Sequence, residues 1–196
     1  RSSAASDVYK RQQTAYISHH TAMEYYGVCD QVYYDVYVSS ETPFKEFEFD
    51  GYTYCYVASK CKLGIENVHY SGGVRITDKE RTTLDSIKDM DKISGIEEVL
   101  ANIDGFTSLN EEKLTGYLQE YHNQFLYQKT GFILYPYRDK LGLSHSFFEM
   151  CQSKTGKSKR YLTKEFTNGT YIKEWKLVVP DEIYKLKNGA FQDDRI

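Results

Sequence analysis

The sequence predicts an α+β domain: a largely antiparallel sheet with an Asp-Gly hairpin, then a cluster of about five helices, then a C-terminal strand pair. Three observations predict it. Between residues 32 and 76 the chain runs in short β-branched and aromatic stretches broken by Pro and Gly. From residue 77 the apolar spacing changes to the three-and-four rhythm of helices. A strand-like composition then returns between residues 160 and 179.

Taken in order, a short helix comes first, over 18–27. Ser18 stands at its N-cap, Ala22-Met23-Glu24-Tyr25-Tyr26 fill it, and Gly27 ends it. Val32 to Val38 is a strand by composition, closed at Thr42-Pro43. Phe44, Phe47 and Phe49 lead to Asp50-Gly51, and Tyr52 to Val57 follow. Asp-Gly between two such runs predicts a type I′ hairpin, because that turn needs positive φ. Asn67 to Tyr70 suggests a further short strand, Gly72-Gly73 a turn, and Val74-Arg75-Ile76 the last strand of the group.

Thr77-Asp78-Lys79-Glu80 has the form of a capping box, with the Thr77 hydroxyl on an early helix N–H and Glu80 reaching back. Leu84 and Ile87 supply an apolar stripe to this helix, and Arg81 faces Asp85 at i,i+4. A second helix of the cluster covers about Gly95–Asn102, and Asn110 caps a third over Glu111–His122. A fourth covers about Gln124–Leu141 and is disturbed at Pro136, and Ser144 caps a fifth. The last strands, Arg160–Leu162 and Trp175–Val179, flank a turn at Asn168-Gly169, and Pro180 closes the second of them.

Composition narrows the classes of function. The chain has 196 residues, 40% hydrophobic and 27% charged, which suits a single folded unit. No window approaches the run of about 18 apolar residues that a membrane helix needs. A net charge of −3 leaves any nucleic-acid contact to a local patch. Cys29, Cys55, Cys61 and Cys151 lack paired C-x-x-C spacing and read as free thiols of a reducing cytoplasm, so no metal site is expected. The 19 tyrosines suit half-buried sheet faces and interfaces, although an AT-rich genome would enrich them as well.

Catalytic patterns are incomplete. Thr155-Gly156-Lys157-Ser158 has the tail of a phosphate-binding loop, but Cys151 stands where the leading Gly is required and a helix precedes it. Asp89-Met90-Asp91 follows Ser71-Gly72-Gly73 as in a nucleotidyltransferase, yet falls at a helix end and reads as a solvated loop. Glu174-Trp175-Lys176 lacks the upstream acid of a nuclease and reads as charge alternation on an exposed strand. His19 and His20 open a helix with no ligand set near them in sequence, and no Ser/His/Asp arrangement is evident. The expectation is therefore a chain without cofactor and without turnover.

One charge feature has content. Between Ser153 and Glu165 lie Lys154, Lys157, Lys159, Arg160 and Lys164, against the single acid Glu165. These residues make either a solvated basic loop or a contact for nucleic acid or an acidic partner. The first hairpin, with Glu41, Glu46, Glu48 and Asp50, is acidic and should repel DNA.

Several segments, in shared order, resemble the C-terminal domain of AbiEi-type antitoxins, predicted transcriptional regulators of viral defence. Tyr16 to Gly27 resembles the small-residue helix that opens that domain. Val36 to Ser40 and the Asp-Gly hairpin resemble its strand region. Val74-Arg75-Ile76-Thr77-Asp78-Lys79-Glu80-Arg81-Thr82-Thr83-Leu84-Asp85 is similar to its strand, Thr-x-x-Glu-Arg-Thr, Asp signature. Gln128 to Gly131 and Lys157 to Leu162 are also similar to segments of such regulators. The resemblance covers nearly all of residues 14–187.

It implies an antitoxin and regulator of abortive infection, acting in the bacterial cytoplasm against a nucleotidyltransferase-like toxin. Members carry an N-terminal winged helix-turn-helix that binds operator DNA. Too few residues precede Ser18 to form that head, so it is expected to lie outside this sequence. A nucleic-acid-processing enzyme, nuclease or nucleotidyltransferase-like, is the alternative. Thr77, Glu80, Arg81 and Asp85 read as architecture ahead of partner contacts, because capping, the i,i+4 pair and two apolar anchors account for them. Residues 1–12 resemble a translated sequencing adapter, residues 13–187 form the expected domain, and 188–196 read as a polar tail.

Overall fold

The computed structural model describes residues 14–186, so the adapter-like segment 1–12 and the polar tail 188–196 lie outside the described residues. The fold is α+β. Strands β1 (Tyr16–Ile17), β2 (Asp35–Ser39), β3 (Phe47–Phe49), β4 (Tyr52–Tyr56), β5 (Ile65–Asn67) and β6 (Arg75–Thr77) form one sheet in the order β3-β4-β2-β1-β6-β5. Helix α1 (His19–Tyr25) follows β1, and Gly27 just beyond it takes φ +71°.

The Asp-Gly hairpin is present. Asp50 and Gly51 take φ of +51° and +80°, and Phe49 pairs with Tyr52 across the turn. The sheet is nevertheless mixed. Pairings β1–β2, β3–β4 and β5–β6 are antiparallel, whereas β2–β4 and β1–β6 are parallel. The hairpin itself is the cause: it turns β4 back alongside β2 and leaves β3 outside, so β4 must run with β2. The strand expected at Asn67–Tyr70 lies two residues earlier, because Gly72 and Gly73 build a longer turn in which Tyr70 is fully exposed at φ +60°.

Helices α2 (Lys79–Asp89), α3 (Gly95–Asp104), α4 (Glu111–Tyr121) and α5 (Gln124–Leu134) follow. Pro136 lies in a 3-10 turn, Tyr135–Tyr137, which divides the expected fourth helix into α5 and a short α6 (Arg138–Leu141). Helix α7 is His145–Ser153. Asn110 and Ser144 cap α4 and α7 through their side chains, and Asn123 caps α5 likewise. Helix α2 packs against α1, α3, α4 and α5 and is the axis of the core. Met23, Leu84, Ile87, Leu114, Leu118 and Ile133 are fully buried around it.

A three-stranded sheet follows, of β7 (Arg160–Tyr161), β8 (Gly169–Ile172) and β9 (Leu177–Pro180), with β9 in the middle, and a 3-10 turn, Asp181–Lys185, comes after it. Gly169 starts β8 and so does not make the turn between the last strands. The β8–β9 turn runs through residues 173–176, where Lys176 takes φ +51°. Trp175 on that turn is buried, so Glu174-Trp175-Lys176 is no exposed strand face.

Candidate functional site: a basic cleft beside a buried arginine

Helix α2 starts at Asp78, whose Oδ1 accepts the Arg81 N–H at 2.8 Å. Thr77 therefore does not cap it. The Thr77 hydroxyl meets Thr82 Oγ1 at 2.7 Å, and Glu80 accepts the Asn110 N–H at 2.7 Å instead of reaching back. Asp is as good an N-cap as Thr, and its Oδ2 also accepts from the Tyr117 hydroxyl at 2.6 Å and from Lys113 Nζ at 3.0 Å.

Arg81 is completely buried, as is Asp85. Arg81 Nε donates to both Asp85 oxygens at 3.0 and 3.1 Å. Nη1 donates to the carbonyls of Cys61 and Leu63 at 3.0 and 2.6 Å, and Nη2 to Ser59 Oγ at 2.6 Å and the Tyr16 hydroxyl at 3.3 Å. The Tyr121 hydroxyl donates to Asp85 Oδ1. Burial alone would push the Arg81 pKa down, but the Asp85 carboxylate together with Tyr121, Tyr16 and Cys61 outweighs it and keeps the guanidinium charged. One side chain thus ties β1, the 57–63 segment, α2 and α4 together.

A Ser-His-Asp line that the sequence did not disclose lies at the other end of α2. Ser18 Oγ is 2.8 Å from His19 Nδ1, and His19 Nε2 is 3.0 Å from Asp89 Oδ2. Asp89, expected in a solvated loop, is the last residue of α2 and buried. The line is structural, because Ser18 is fully buried and its hydroxyl faces Ser39 Oγ at 3.3 Å, which leaves no approach for a substrate. Ser18 is the N-cap residue of α1 without bonding the helix through its side chain.

Burial pushes the Asp89 carboxyl up, but the His19 hydrogen bond and the Lys88 ammonium outweigh it and bring its pKa from 3.8 to about 2. A depressed folded-state pKa stabilises above the unfolded value and is lost as pH falls through the folded one. Asp89→Asn should therefore cost about 2 kcal/mol at pH 7. The gap between variant and wild type in urea midpoint should close as pH falls from about 4 toward 2. A gap independent of pH across that range would assign the loss to packing alone.

Beside the Arg81 node opens a cleft of about 890 Å³. Its lining brings Lys60, Lys88 and Arg160 together with Tyr56, Tyr121 and Phe125. Glu41, the acid on its rim, is already paired with Lys62 at 2.8 Å, and Lys88 pairs with Asp89. Among the described residues Lys60 and Arg160 have no acid within ion-pair distance. Cations on a concave wall with low-dielectric surroundings raise the local anion concentration. Asn123 and Gln124, at the N-terminus of α5, face the same space.

The five basic residues expected to act together are all exposed but do not converge on one point. Arg160 enters the cleft, with its guanidinium 5.9 Å from the Phe125 ring. Lys164 lines a separate depression of about 530 Å³. Lys154 lies at the end of α7, and Lys159 sits 5.8 Å from the Tyr161 ring. Lys157 belongs to the Thr155–Ser158 turn, where Lys176 Nζ donates to the Gly156 carbonyl at 3.0 Å and a helix, not a strand, precedes. The charges that join Arg160 come from elsewhere: Lys60 after β4 and Lys88 from α2. Nothing in their local sequence marks them, since each is one lysine in an ordinary polar stretch.

Among the described residues no group of three or more His, Cys, Asp or Glu is placed to hold a metal ion, and the four cysteines are free thiols. No helix among them is long and apolar enough to cross a membrane.

No family model matches the chain, and no curated protein does. A solved structure does: the crystal structure of the RV2827C protein from Mycobacterium tuberculosis, at 12% identity and a TM-score of 0.60. The match covers 84% of this chain and 62% of that one, so this chain spans less than two thirds of the length of its structural neighbour. At that identity the likeness is one of fold alone: the mixed sheet and the helical cluster are an arrangement that the mycobacterial protein shares.

Proposed function

We propose that this chain is the body of an AbiEi-type antitoxin and transcriptional regulator, a bacterial cytoplasmic protein that acts by binding and counters a nucleotidyltransferase-like toxin. The observation that carries this reading is how the signature helix spends its charges. Asp78, Glu80, Arg81 and Asp85 are all buried and answered by protein groups, so the motif is architecture. The charges left facing solvent in the cleft are basic and belong to no pattern of acid, base and nucleophile. A scaffold with a cationic recess suits contact with an anionic partner better than it suits turnover. Operator DNA would be read by a winged head belonging to the full-length protein.

Co-expression tests the reading. Residues 13–187 produced beside a toxic nucleotidyltransferase encoded by the neighbouring gene should restore growth, and Arg81→Met, which undermines the scaffold, should not. Growth arrest that persists with soluble, folded protein would remove the antitoxin reading.

A further inference from the structure

Lys129, in α5, is 4% exposed, yet its ammonium makes no hydrogen bond or ion pair with any described residue. Its ammonium stands over the Phe125 ring, 4.6 Å from the centroid. Phe125 lines the basic cleft, and the Arg160 guanidinium stands 5.9 Å from the same ring. The ammonium is not sealed off: the stem is packed while the charged end still meets water. Burial pushes the Lys129 pKa down; Asp91 and Asp89 oppose the shift, while Lys88 and Lys164 add to it. Lys129 and Arg160 thus meet the same ring, and Lys88 lines the cleft that this ring borders. Both acids are engaged elsewhere, Asp89 with His19 and Lys88, and Asp91 with the Lys164 N–H at 3.3 Å.

We propose that Lys129 and Arg160 at the Phe125 ring, with Lys88 from the wall of the same cleft, bind the phosphate group of a nucleotide or of a single-stranded nucleic acid. A phosphate has oxygens enough to accept from several ammonium groups and from the planar guanidinium at once. An acidic peptide would leave the aromatic wall of Tyr56, Tyr121 and Phe125 unused, whereas a base next to the phosphate can stack on it. Two of these residues, Lys129 and Arg160, come from segments far apart in the chain, 128–131 and 157–162. The contact of Gln124 with the Gly156 backbone position and the Phe125–Arg160 approach bring them side by side.

The site does not rest on the antitoxin reading, since phosphate binding by the purified chain and rescue from a toxin are scored separately. The test is anisotropy of a short fluorescent single-stranded oligonucleotide titrated with purified chain, with a 5′-mononucleotide and inorganic phosphate as competitors. Lys129→Met keeps the buried stem and removes the charge. It should weaken binding about tenfold, and lower the slope of log affinity against log salt by about 0.7. The same variant should melt within about 2 °C of wild type, because methionine keeps the packed stem. A structural lysine would lower the melting temperature and leave binding alone. Arg160→Gln, fully on the surface, should weaken binding similarly whatever Lys129→Met does to folding, and Lys173→Gln should not. Competition by the mononucleotide or phosphate at millimolar concentration identifies a small phosphate ligand. Binding of the oligonucleotide without such competition identifies the phosphodiester strand. Absence of binding by all three probes, or Arg160→Gln binding like wild type, overturns the proposal.

Discussion

Arg81→Met should destabilise the protein by about 3–5 kcal/mol, the range for removing one partner of a buried ion pair. The guanidinium serves Asp85, Ser59, Tyr16 and the carbonyls of Cys61 and Leu63, all within 3.3 Å. Methionine replaces the stem and satisfies none of them. Asp85 would keep only the Tyr121 hydroxyl as a donor in a site without water access, and two backbone carbonyls would be orphaned. In a chain of this size the melting temperature should fall by roughly 10 °C. Lysine is no substitute, because one ammonium cannot reach groups spread around a planar fork. The double variant Arg81→Met/Asp85→Leu should recover a large part of the loss, since it removes the uncompensated charge together with its partner. Urea unfolding of the four proteins in this cycle measures it. A single-variant loss below about 1 kcal/mol would mean that the arginine lies on the surface.

Gly131→Ala is expected to cost about 3 kcal/mol, at the upper end for overpacking a filled core. A Cβ built on Gly131 overlaps Cζ3 and Cη2 of Trp175 and stands 3.0 Å from Cε3. The indole cannot step aside easily: Trp175 is 5% exposed, and Gln128 Nε2 holds its backbone carbonyl at 3.2 Å. Trp175 is the single tryptophan of the chain, so its fluorescence reports the displacement directly. Gly116 supplies the contrast. It lies within α4 with nothing inside 4 Å of a built Cβ, so Gly116→Ala should stabilise by about 0.5–1 kcal/mol. Equal effects of the two substitutions would rule out the close approach of α5 to the last turn.

Apart from the Arg81–Asp85 pair, which the i,i+4 spacing announces, both predictions depend on contacts that no local pattern shows. Helix α2 reads as a surface helix with two apolar anchors, Leu84 and Ile87, among charges and hydroxyls. It is instead buried almost along its whole length. Arg, Asp and Glu are ordinarily exposed, so sequence reasoning places them in water by default. Only the partners from residues 16, 59–63, 110, 117 and 121 make their burial tolerable. The same limit applies to the cleft. The basic segment 153–165 was legible as composition, but just Arg160 of its five charges enters the cleft with the other lysines. Lys60, Lys88 and Lys129 stood in three unrelated stretches. Ser18 and His19 are neighbours in the chain, yet the line they form with Asp89 spans 70 residues and was invisible.

What residues 14–186 settle locally are the features whose causes lie within a few residues. They include the Asp50-Gly51 hairpin, the side-chain caps at Asn110 and Ser144, the interruption of a helix at Pro136, and the succession of strands, helices and strands. Each follows from a dihedral preference, a missing N–H or a side chain that reaches its own backbone. Packing decided the rest: the parallel pairing of β2 with β4, the choice of Asp78 over Thr77 as cap, the sealing of Arg81, and the gathering of cations around Phe125. Those outcomes depend on which distant groups share a low-dielectric space, where an answered charge is held and an unanswered one is costly.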